Sequence, residues 1–279
     1  MSSAKKIVIV GLGLIGGSIA KALKLYSGHH ILGMDTNEEV LLDACSCGAI
    51  DGKAGTEDLK TADLVYLCVY PNAALQFAET YGPLLKEGCV LTDACGVKTE
   101  LCAGMERLCR TGKYIFVAGH PMAGKEQSGF SASEASLFSG ASYLIAPCGA
   151  PEYAVEEVAG LARLMGFSNI VLTTPEQHDR VIAFTSQLPH VLACSYVMSP
   201  RCREHKGFSA GSYRDVSRVA NINGELWASL FLQNQPSLLA EIDELQKNLS
   251  LFRTALSEGD EKELRALLDT AAGIKRAEG

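Results

Sequence analysis

The chain has 279 residues, 47% of them hydrophobic, which is enough for one or two domains with a substantial core. Its formal net charge of −7 argues against nucleic acid as the main partner, and no stretch reaches the roughly 18 consecutive apolar residues of a membrane span. A core strand is predicted to begin at Lys6, so we expect no signal peptide and a cytoplasmic location.

The first predicted strand runs into a glycine-rich turn. Ile7–Val10 is a β-branched run typical of a buried parallel strand, and the glycines after it have the G-x-G-x-x-G spacing. Such a turn lets the backbone approach a pyrophosphate and lets the next helix pack closely on the strand. An ordinary strand-to-helix turn is the alternative. The predicted dinucleotide contacts here are Gly11, Leu12, Gly13, Leu14, Ile15 and Gly16.

The second predicted strand, His30–Met34, is followed by an acidic residue. Asp35 lies 19 residues after Gly16, where a dinucleotide-binding fold places the carboxylate that binds the adenosine ribose. This carboxylate would repel a 2′-phosphate and no arginine follows it, so NAD is predicted rather than NADP. The alternative role for Asp35 is the N-cap of a helix that begins before Glu38.

Alternating strand and helix patterns continue to residue 173. The later predicted strands span residues 63–69, 89–93, 114–118, 142–146 and 169–173. The predicted helices between them span residues 39–47, 73–85, 98–110 and 152–165. This alternation predicts a doubly wound parallel sheet of the Rossmann type, whose ligands bind at the carboxyl ends of the strands. That edge adds four predicted cofactor contacts, Val69, Tyr70, Pro71 and Cys95.

The ten cysteines lack the spacing of zinc ligands, so we expect reduced thiols and no metal. Cys95, Cys102 and Cys109 recur every seven residues, which predicts one apolar stripe on a helix face.

From residue 174 onward only helical patterns occur. We therefore predict a Rossmann-type domain at 1–173 and an all-α domain at 174–279. Thr174 and Pro175 form a helix start, and Pro189 is expected to kink or break the helix that follows. Farther along, apolar residues from Leu238 to Leu256 recur at spacings of four and three. This leucine seam predicts either intrachain core or a homodimer interface through the C-terminal helices.

Three polar clusters coincide with predicted strand ends or helix breaks. They span Gly119–Phe130, Ser186–His190 and Tyr213–Ala220, and the single tryptophan, Trp227, follows the last. With the glycine turn they carry four motifs, GLGLIGGS at 11–18, HPMAGKEQSG at 120–129, LPH at 188–190 and RDVSRVA at 214–220. In content and order the chain resembles the prephenate dehydrogenase family, together with its arogenate-specific relatives, from Ile7 to about Asn234.

The resemblance implies an enzyme of tyrosine biosynthesis that uses NAD to oxidise and decarboxylate prephenate to 4-hydroxyphenylpyruvate. Hydride leaves the ring carbinol carbon, the hydroxyl loses its proton, and CO₂ departs as the ring becomes aromatic. Arogenate differs only by an amino group in the side chain, and the sequence does not choose between the two substrates. Another nicotinamide oxidoreductase with a helical second domain and a non-catalytic NAD-responsive binding protein are the competing interpretations.

The resemblance also implies roles for individual side chains. His120 is expected to accept the carbinol proton, and Arg218 is expected to bind a substrate carboxylate through its guanidinium fork. His190 matches a second substrate-site histidine and completes the expected catalytic set. Taken alone, such histidines are structural and such arginines are ion-paired or solvated. The other expected substrate-site residues are Ser186, Glu126, Arg214 and Asp215, of which Glu126 and Asp215 would orient a His or Arg or gate the entrance.

Two positions depart from the family pattern. Gly96 stands where a serine is usual, and Gln187 stands where a histidine is common. Without the serine hydroxyl, which orients the catalytic histidine and the nicotinamide, we expect slower hydride transfer unless water or Ser186 replaces it. The pair His178-Asp179 resembles a pair near the family's domain junction, for which we expect a structural role.

Overall fold

The first part of the chain folds into one mainly parallel sheet. The computed structural model describes residues 4–110 and 112–277. Within these residues the strands are β1 (Lys6–Val10), β2 (His30–Met34), β3 (Gly52–Lys53), β4 (Leu64–Leu67), β5 (Val90–Asp93), β6 (Ile115–Pro121), β7 (Ser142–Ala146) and β8 (Asn169–Leu172). Their order across the sheet is β3-β2-β1-β4-β5-β6-β7-β8. The order reverses between β1 and β4, which is where open α/β sheets bind ligands.

The helices of this sheet lie on both of its faces. They are α1 (Leu14–Tyr26), α2 (Glu38–Ser46), α3 (Thr56–Leu59), α4 (Pro71–Tyr81), α5 (Thr99–Cys109) and α6 (Glu152–Leu164). Side chains of β1 alternate between two hydrophobic clusters, with Ile7 and Ile9 in one and Val8 and Val10 in the other. Burial on both faces explains why β1 is a continuous apolar run. The predicted fold class is confirmed.

Antiparallel pairing of β6 with β7 is a feature that the sequence did not predict. Ala118 lies opposite Ala146 and Pro121 lies opposite Tyr143. A parallel crossover usually runs through an α-helix, whereas the described residues between these strands contain only a 3₁₀ turn, Phe130–Ala132. The chain therefore returns along the sheet in the opposite direction.

Several predicted boundaries move in the structure. β6 continues three residues beyond the predicted end at 118, so His120 lies within the strand and not after it. α4 begins at Pro71, where proline takes the first helical position, and α3 and β3 form in a polar stretch for which no element is predicted. Cys95 lies in the loop before α5 and so does not share a helix face with Cys102 and Cys109, although all three pack in one hydrophobic cluster.

After β8 every regular element of the described chain is a helix. Its helices are α7 (Pro175–Ile182), α8 (Leu188–Val197), α9 (Gly211–Ser217), α10 (Gly224–Gln233), α11 (Gln235–Glu258) and α12 (Glu261–Ala277). The Thr174 hydroxyl caps α7 by accepting a hydrogen bond from Gln177 N at 3.2 Å. A π-helical turn, Ala183–Gln187, separates α7 from α8, and Pro189 lies in the first turn of α8. The predicted break therefore occurs just before the proline.

The leucine seam lies on α11, but most of it is not core of this chain. Leu238 is buried, whereas Leu249 and Leu256 are 54% and 66% exposed. The intrachain alternative is therefore wrong for the second half of the seam. No helix in the described ranges is both long and apolar enough to cross a membrane.

Candidate active site

The glycine turn forms an open cradle at the carboxyl end of β1. Gly11 has a φ of +87°, which favours glycine, and a β-carbon on Gly16 would lie 1.8 Å from the Gly11 carbonyl oxygen. A β-carbon on Gly13, in contrast, would meet nothing within 4 Å. Two glycines are thus required by packing, and the third leaves free space beside the backbone at the first turn of α1. This space fits the pyrophosphate of a dinucleotide.

Asp35 holds this turn against β2. Its Oδ2 accepts a hydrogen bond from Leu12 N at 2.7 Å, and its Oδ1 accepts one from Asn37 N at 2.9 Å. The N-cap of α2 is Asn37, whose side chain accepts from Glu39 N, so the N-cap alternative for Asp35 is wrong. The carboxylate remains half-exposed beside the cradle, where its remaining lone pairs are available to ribose hydroxyls.

The ends of β4 and β5 form the next wall of the crevice. A β-carbon on Gly11 would lie 2.5 Å from Cys68 O and 2.7 Å from Val69 Cγ1, so the turn and the end of β4 are in contact. The Cys95 thiol reaches Val69 O at 3.4 Å. Tyr70, which precedes Pro71, is 46% exposed. The structure therefore brings the later predicted cofactor contacts to the same sheet edge as the glycine turn.

A buried ion pair fixes the loop after β5. Asp93 and Lys98 are almost fully inaccessible, and Lys98 Nζ donates to Asp93 Oδ2 at 2.7 Å. The same carboxylate accepts hydrogen bonds from Cys95 N at 2.8 Å and Gly119 N at 3.1 Å. Burial by itself lowers the pKa of Lys98, but the adjacent Asp93 outweighs it and the pKa is raised. A fixed positive charge therefore lies behind the site, and sequence reasoning missed it.

His120 is the first member of a chain of hydrogen bonds that crosses into the helical part. Its Nδ1 lies 2.9 Å from His178 Nε2, and His178 Nδ1 lies 2.7 Å from Asp179 Oδ1. The Asp179 carboxylate also accepts hydrogen bonds from Lys98 N and Thr99 N, both at 2.8 Å. The structural role expected for His178-Asp179 is therefore to orient His120.

The network assigns the protons on both imidazoles. Burial raises the pKa of Asp179, but hydrogen bonds from His178 and Thr99 outweigh it, so the net pKa is lowered and the carboxylate is ionised. His178 Nδ1–H must donate to this carboxylate, which leaves His178 Nε2 as an acceptor. His120 Nδ1–H therefore donates to His178, and the lone pair of His120 Nε2 is free to accept a proton.

Electrostatics keep His120 neutral. Burial, the Lys98 charge and the neighbouring His178 together hold the pKa of His120 well below the ordinary value of 6.5. Burial also lowers the pKa of His178, despite the opposing effect of Asp179. At neutral pH the His120 imidazole is therefore in the form that a general base requires.

These shifts make stability depend on pH. Because His120 and His178 bind protons more weakly in the folded state, lowering the pH below about 6.5 protonates the unfolded chain first. The free energy of unfolding is then expected to fall by up to about 1.4 kcal/mol per pH unit for each histidine. Urea titrations across this pH range measure the slope. His120→Asn should reduce this slope, and an equal slope in the variant and the unmodified protein would contradict the assignment.

His190 lies on the helical side of the same seam. Its ring stacks on Trp227 with centroids 3.7 Å apart, and its Nδ1 donates to the Ser186 carbonyl oxygen at 2.7 Å. Leu230, one turn after Trp227, faces the loop after β5, where a β-carbon on Gly96 would lie 3.5 Å from its Cδ2. The His190–Trp227 stack and the Gly96 loop are thereby brought to one place.

Arg218 reaches across from the helical part to the loop after β6. Its guanidinium donates to Glu126, and its side chain is 62% exposed. The carboxylate that pairs with Arg218 is therefore on the loop after β6, and not the neighbouring Asp215. Arg214 does not join it, because its side chain lines a separate cavity of about 390 Å³ with His205 and Tyr213. The Asp215 side chain is exposed and has no ion pair within the described residues.

Gln187 and Asn234 lock the helices beneath the site. Asn234 Nδ2 donates to Asp179 O and to Gln187 Oε1, both at 2.8 Å, and Gln187 Nε2 donates to Leu230 O at 3.2 Å. Both side chains are buried. The glutamine at the position where a histidine is common is therefore part of the scaffold. Asn234 was missed because an isolated asparagine before a helix gives only a capping signal.

The contacts described above share one location. His178, Asp179, Leu230 and Arg218 meet residues that follow the carboxyl ends of β5 and β6, or lie at the end of β6. The sheet edge that holds the glycine cradle therefore also carries His120, and the loop after β6 at this edge contacts Arg218. Among the described residues no group of three or more His, Cys, Asp or Glu side chains is arranged to hold a metal ion.

Comparison with known proteins places this arrangement in a family. A model of the prephenate dehydrogenase nucleotide-binding domain matches residues 19–171, and a model of the prephenate dehydrogenase dimerization domain matches residues 174–270. The chain is 31% identical to prephenate dehydrogenase of Bacillus subtilis over 275 residues, covering 95% of this chain and 74% of that protein. It is 33% identical to cyclohexadienyl dehydrogenase of Zymomonas mobilis over 271 residues, covering 93% and 91%.

A solved structure agrees with these matches. The crystal structure of prephenate dehydrogenase from A. aeolicus in complex with hydroxyphenyl propionate and NAD+ superposes with a TM-score of 0.88 at 28% identity, covering 99% of both chains. The predictions of the family and of NAD as the cofactor are confirmed. The chain belongs to the prephenate dehydrogenase family.

Proposed function

We propose that this chain oxidises and decarboxylates prephenate to 4-hydroxyphenylpyruvate with His120 as the general base. The observation that carries the proposal is the His120–His178–Asp179 chain at the same sheet edge as the glycine cradle. It leaves a neutral imidazole with one free lone pair at the carboxyl edge of the sheet. Bound NAD supplies the hydride acceptor.

His120 Nε2 takes the proton of the ring hydroxyl as hydride leaves the ring carbon that carries this hydroxyl. The resulting carbonyl draws electrons from the breaking bond to the ring carboxylate, CO₂ is released, and the ring becomes aromatic. Positioned proton transfer of this kind contributes roughly 10²–10⁴-fold to rate. His178 and Asp179 keep the accepting nitrogen aimed at the substrate, and the buried Lys98 charge disfavours premature protonation of His120.

Arg218 binds a substrate carboxylate, and Glu126 holds the arginine when no substrate is present. The Arg218–Glu126 pair is largely exposed, so its exchange for a substrate carboxylate costs little, because exposed ion pairs contribute about 0–1 kcal/mol. The His190 ring, with its second nitrogen Nε2, lies against Trp227. We assign Ser186 to positioning His190, and we leave Arg214 and Asp215 at the periphery of the site.

A direct assay tests the proposal. Purified protein is mixed with NAD and either prephenate or arogenate, and formation of NADH is followed by its absorbance. We expect NADH with prephenate, together with release of CO₂, and the ratio of kcat/KM values ranks arogenate against it. No NADH with either compound would contradict the proposal and favour a non-catalytic NAD-responsive protein. NADH from a simple hydroxy acid but not from these two would favour another oxidoreductase.

Gly96 offers a test of the departure from the family pattern. A β-carbon here makes only ordinary contacts with Leu230, at 3.5 and 3.6 Å, so Gly96→Ser fits. If the missing hydroxyl limits hydride transfer, Gly96→Ser should raise kcat about fivefold, the worth of one hydrogen bond of about 1 kcal/mol. Gly96→Ala is the matched control and should leave kcat unchanged. Unchanged kcat in the serine variant would mean that water or Ser186 already fills the role.

We propose that the chain functions as a homodimer through the leucine seam. The exposed Leu249 and Leu256 on α11 and the match to a dimerization-domain model support this. Sedimentation should show a dimer at micromolar concentration, and Leu249→Glu should shift it toward monomer because a charge cannot be buried unpaired. Leu25→Glu, at a leucine of α1 that is 64% exposed, should remain dimeric. A monomeric unmodified protein would contradict the proposal.

Two further expectations stay predictions. We place the domain boundary at 173/174, where the chain passes from β8 to α7. The cytoplasmic location rests on the sequence arguments alone.

A further inference from the structure

The helical part of the chain has only a small core of its own. Among its described residues, 174–277, seven hydrophobic residues are buried, whereas fourteen large hydrophobic side chains are exposed. In residues 4–110 and 112–173 the balance is reversed, with fifty buried and eight exposed. Single exposed leucines are normal on a protein surface, but such an excess is typical of a domain that packs against another molecule. The helical part therefore has an apolar surface that a single copy leaves uncovered.

The segment that carries Arg218 is held weakly within a single copy. α9 and the 3₁₀ turn Arg218–Ala220 contain no buried residue. Both pack on α8, which itself buries only Leu188 and Ala193. The ion pair with Glu126 ties the segment to the loop after β6, but this pair is largely exposed. A segment with so little buried surface opens locally at a small cost in free energy.

Aromatic contacts at Tyr213 connect this segment to α8. The Tyr213 ring stacks on His205 with centroids 4.3 Å apart, and its centroid lies 6.0 Å from that of Tyr196 on α8. Tyr196 and Leu192 are one helical turn apart and both are exposed. We call these two side chains the α8 patch. The helix on which the Arg218 segment rests therefore presents an uncovered apolar surface.

The charges near the α8 patch and the leucine seam are complementary. Residues 201–218 contain five basic and two acidic residues, although the whole chain has a net charge of −7. Residues 239–249 of α11 contain three acidic residues and one basic residue, between the exposed Leu239 and Leu249 of the same helix. In a two-fold dimer the leucine seam of each copy can face the α8 patch of the other. Opposite charges beside the two surfaces favour that pairing.

We propose that the leucine seam of a second copy covers the α8 patch and thereby fixes the segment that carries Arg218. The inference rests on the proposed homodimer and on the proposed role of Arg218 in binding prephenate. It adds that the prephenate site is complete only in the dimer. The glycine cradle for NAD, in contrast, is built by β1, α1 and the ends of β2 and β4, and is complete in each copy.

Kinetics of monomeric variants test the proposal. Leu249→Glu on the leucine seam and Leu192→Glu on the α8 patch each place a charge in the proposed interface, so sedimentation should show monomers where the unmodified protein is dimeric. The KM for prephenate should rise toward that of Arg218→Ala, up to roughly 100-fold. The affinity for NAD, measured by calorimetry, should stay the same. Concentrating either variant until it dimerises should restore the KM, which stopped-flow kinetics can follow.

A leucine of the first part of the chain provides the matched control. Leu164 on α6 is 44% exposed and Leu192 is 41% exposed, so Leu164→Glu should remain dimeric with an unchanged KM. A monomeric variant that keeps the KM of the unmodified protein would overturn the proposal. A raised KM in a Leu192→Glu protein that is still dimeric would also overturn it, because the effect would then be local.

Hydrogen exchange separates this inference from the proposed reaction, because it needs no substrate. The backbone amides of residues 211–220 should exchange faster in both monomeric variants than in the unmodified dimer. If the unmodified protein formed no NADH but showed this difference, the proposed reaction would be wrong and the ordering of the segment by the second copy would be supported. Equal exchange in the dimer and in both monomers would refute the inference, whatever reaction the protein catalyses.

Discussion

His120→Asn is expected to lower kcat by roughly 10²–10⁴-fold with little change in the KM for prephenate. Asparagine retains an N–H that can donate to His178 Nε2, so the hydrogen-bonded scaffold is kept, but it cannot accept the substrate proton. Steady-state kinetics with prephenate at saturating NAD measures both constants. His30→Asn, which removes an exposed imidazole of β2, is the matched control and should behave as the unmodified protein.

The pH profile gives an independent check on the same residue. Catalysis requires neutral His120, and the pKa of His120 is lowered by burial and by the Lys98 charge. The acid limb of the kcat/KM profile should therefore have its midpoint below 6.5, the ordinary histidine value. A midpoint above that value, or a large rise in KM with unchanged kcat in His120→Asn, would show that His120 binds substrate without acting as the base.

Arg218→Ala is expected to raise KM by at least roughly 100-fold and to leave kcat nearly unchanged. The variant loses two charged hydrogen bonds to a carboxylate, each worth about 1.5–3 kcal/mol. Titration of the initial rate with prephenate measures the change. Arg201→Ala, which removes an exposed arginine paired with Glu204, is the matched control and should leave KM unchanged.

Glu126→Gln distinguishes substrate binding from a structural ion pair. If Arg218 serves the substrate, the glutamine variant frees the guanidinium and KM should stay the same or fall. If Arg218 merely ties the two parts of the chain together, Glu126→Gln and Arg218→Ala should have similar effects on both kcat and KM. Equal effects of the two substitutions would therefore contradict the carboxylate-binding role.

The local features of the fold could be predicted from the sequence because neighbouring residues determine them. The strand Ile7–Val10 and the glycine spacing after it specify a buried strand and a tight turn, and both form. The direction of β7 could not be predicted, since an isolated apolar run does not state which way its strand pairs. The spacing of the seam residues likewise could not decide between intrachain core and subunit interface, because that depends on how α11 packs.

For the same reason, the sequence predicted the motif residues of the candidate site but not the side chains that contact them. Motif resemblance made His120 and Arg218 candidates, but the side chains that contact them are distant in sequence or chemically ambiguous. Asp93 and Lys98 look like a strand end and a helix start, and only burial turns them into an ion pair behind His120. Glu126 meets Arg218 across 92 residues of chain, a pairing that no local pattern encodes.

The most direct test is a crystal structure of the His120→Asn protein with NAD and prephenate. One prephenate molecule should place its ring hydroxyl about 3 Å from the side chain at position 120, in contact with the nicotinamide, and one of its carboxylates in the guanidinium fork of Arg218. Glu126 should then have released the arginine. Prephenate bound with its hydroxyl away from position 120, or with Arg218 still paired to Glu126, would contradict the account.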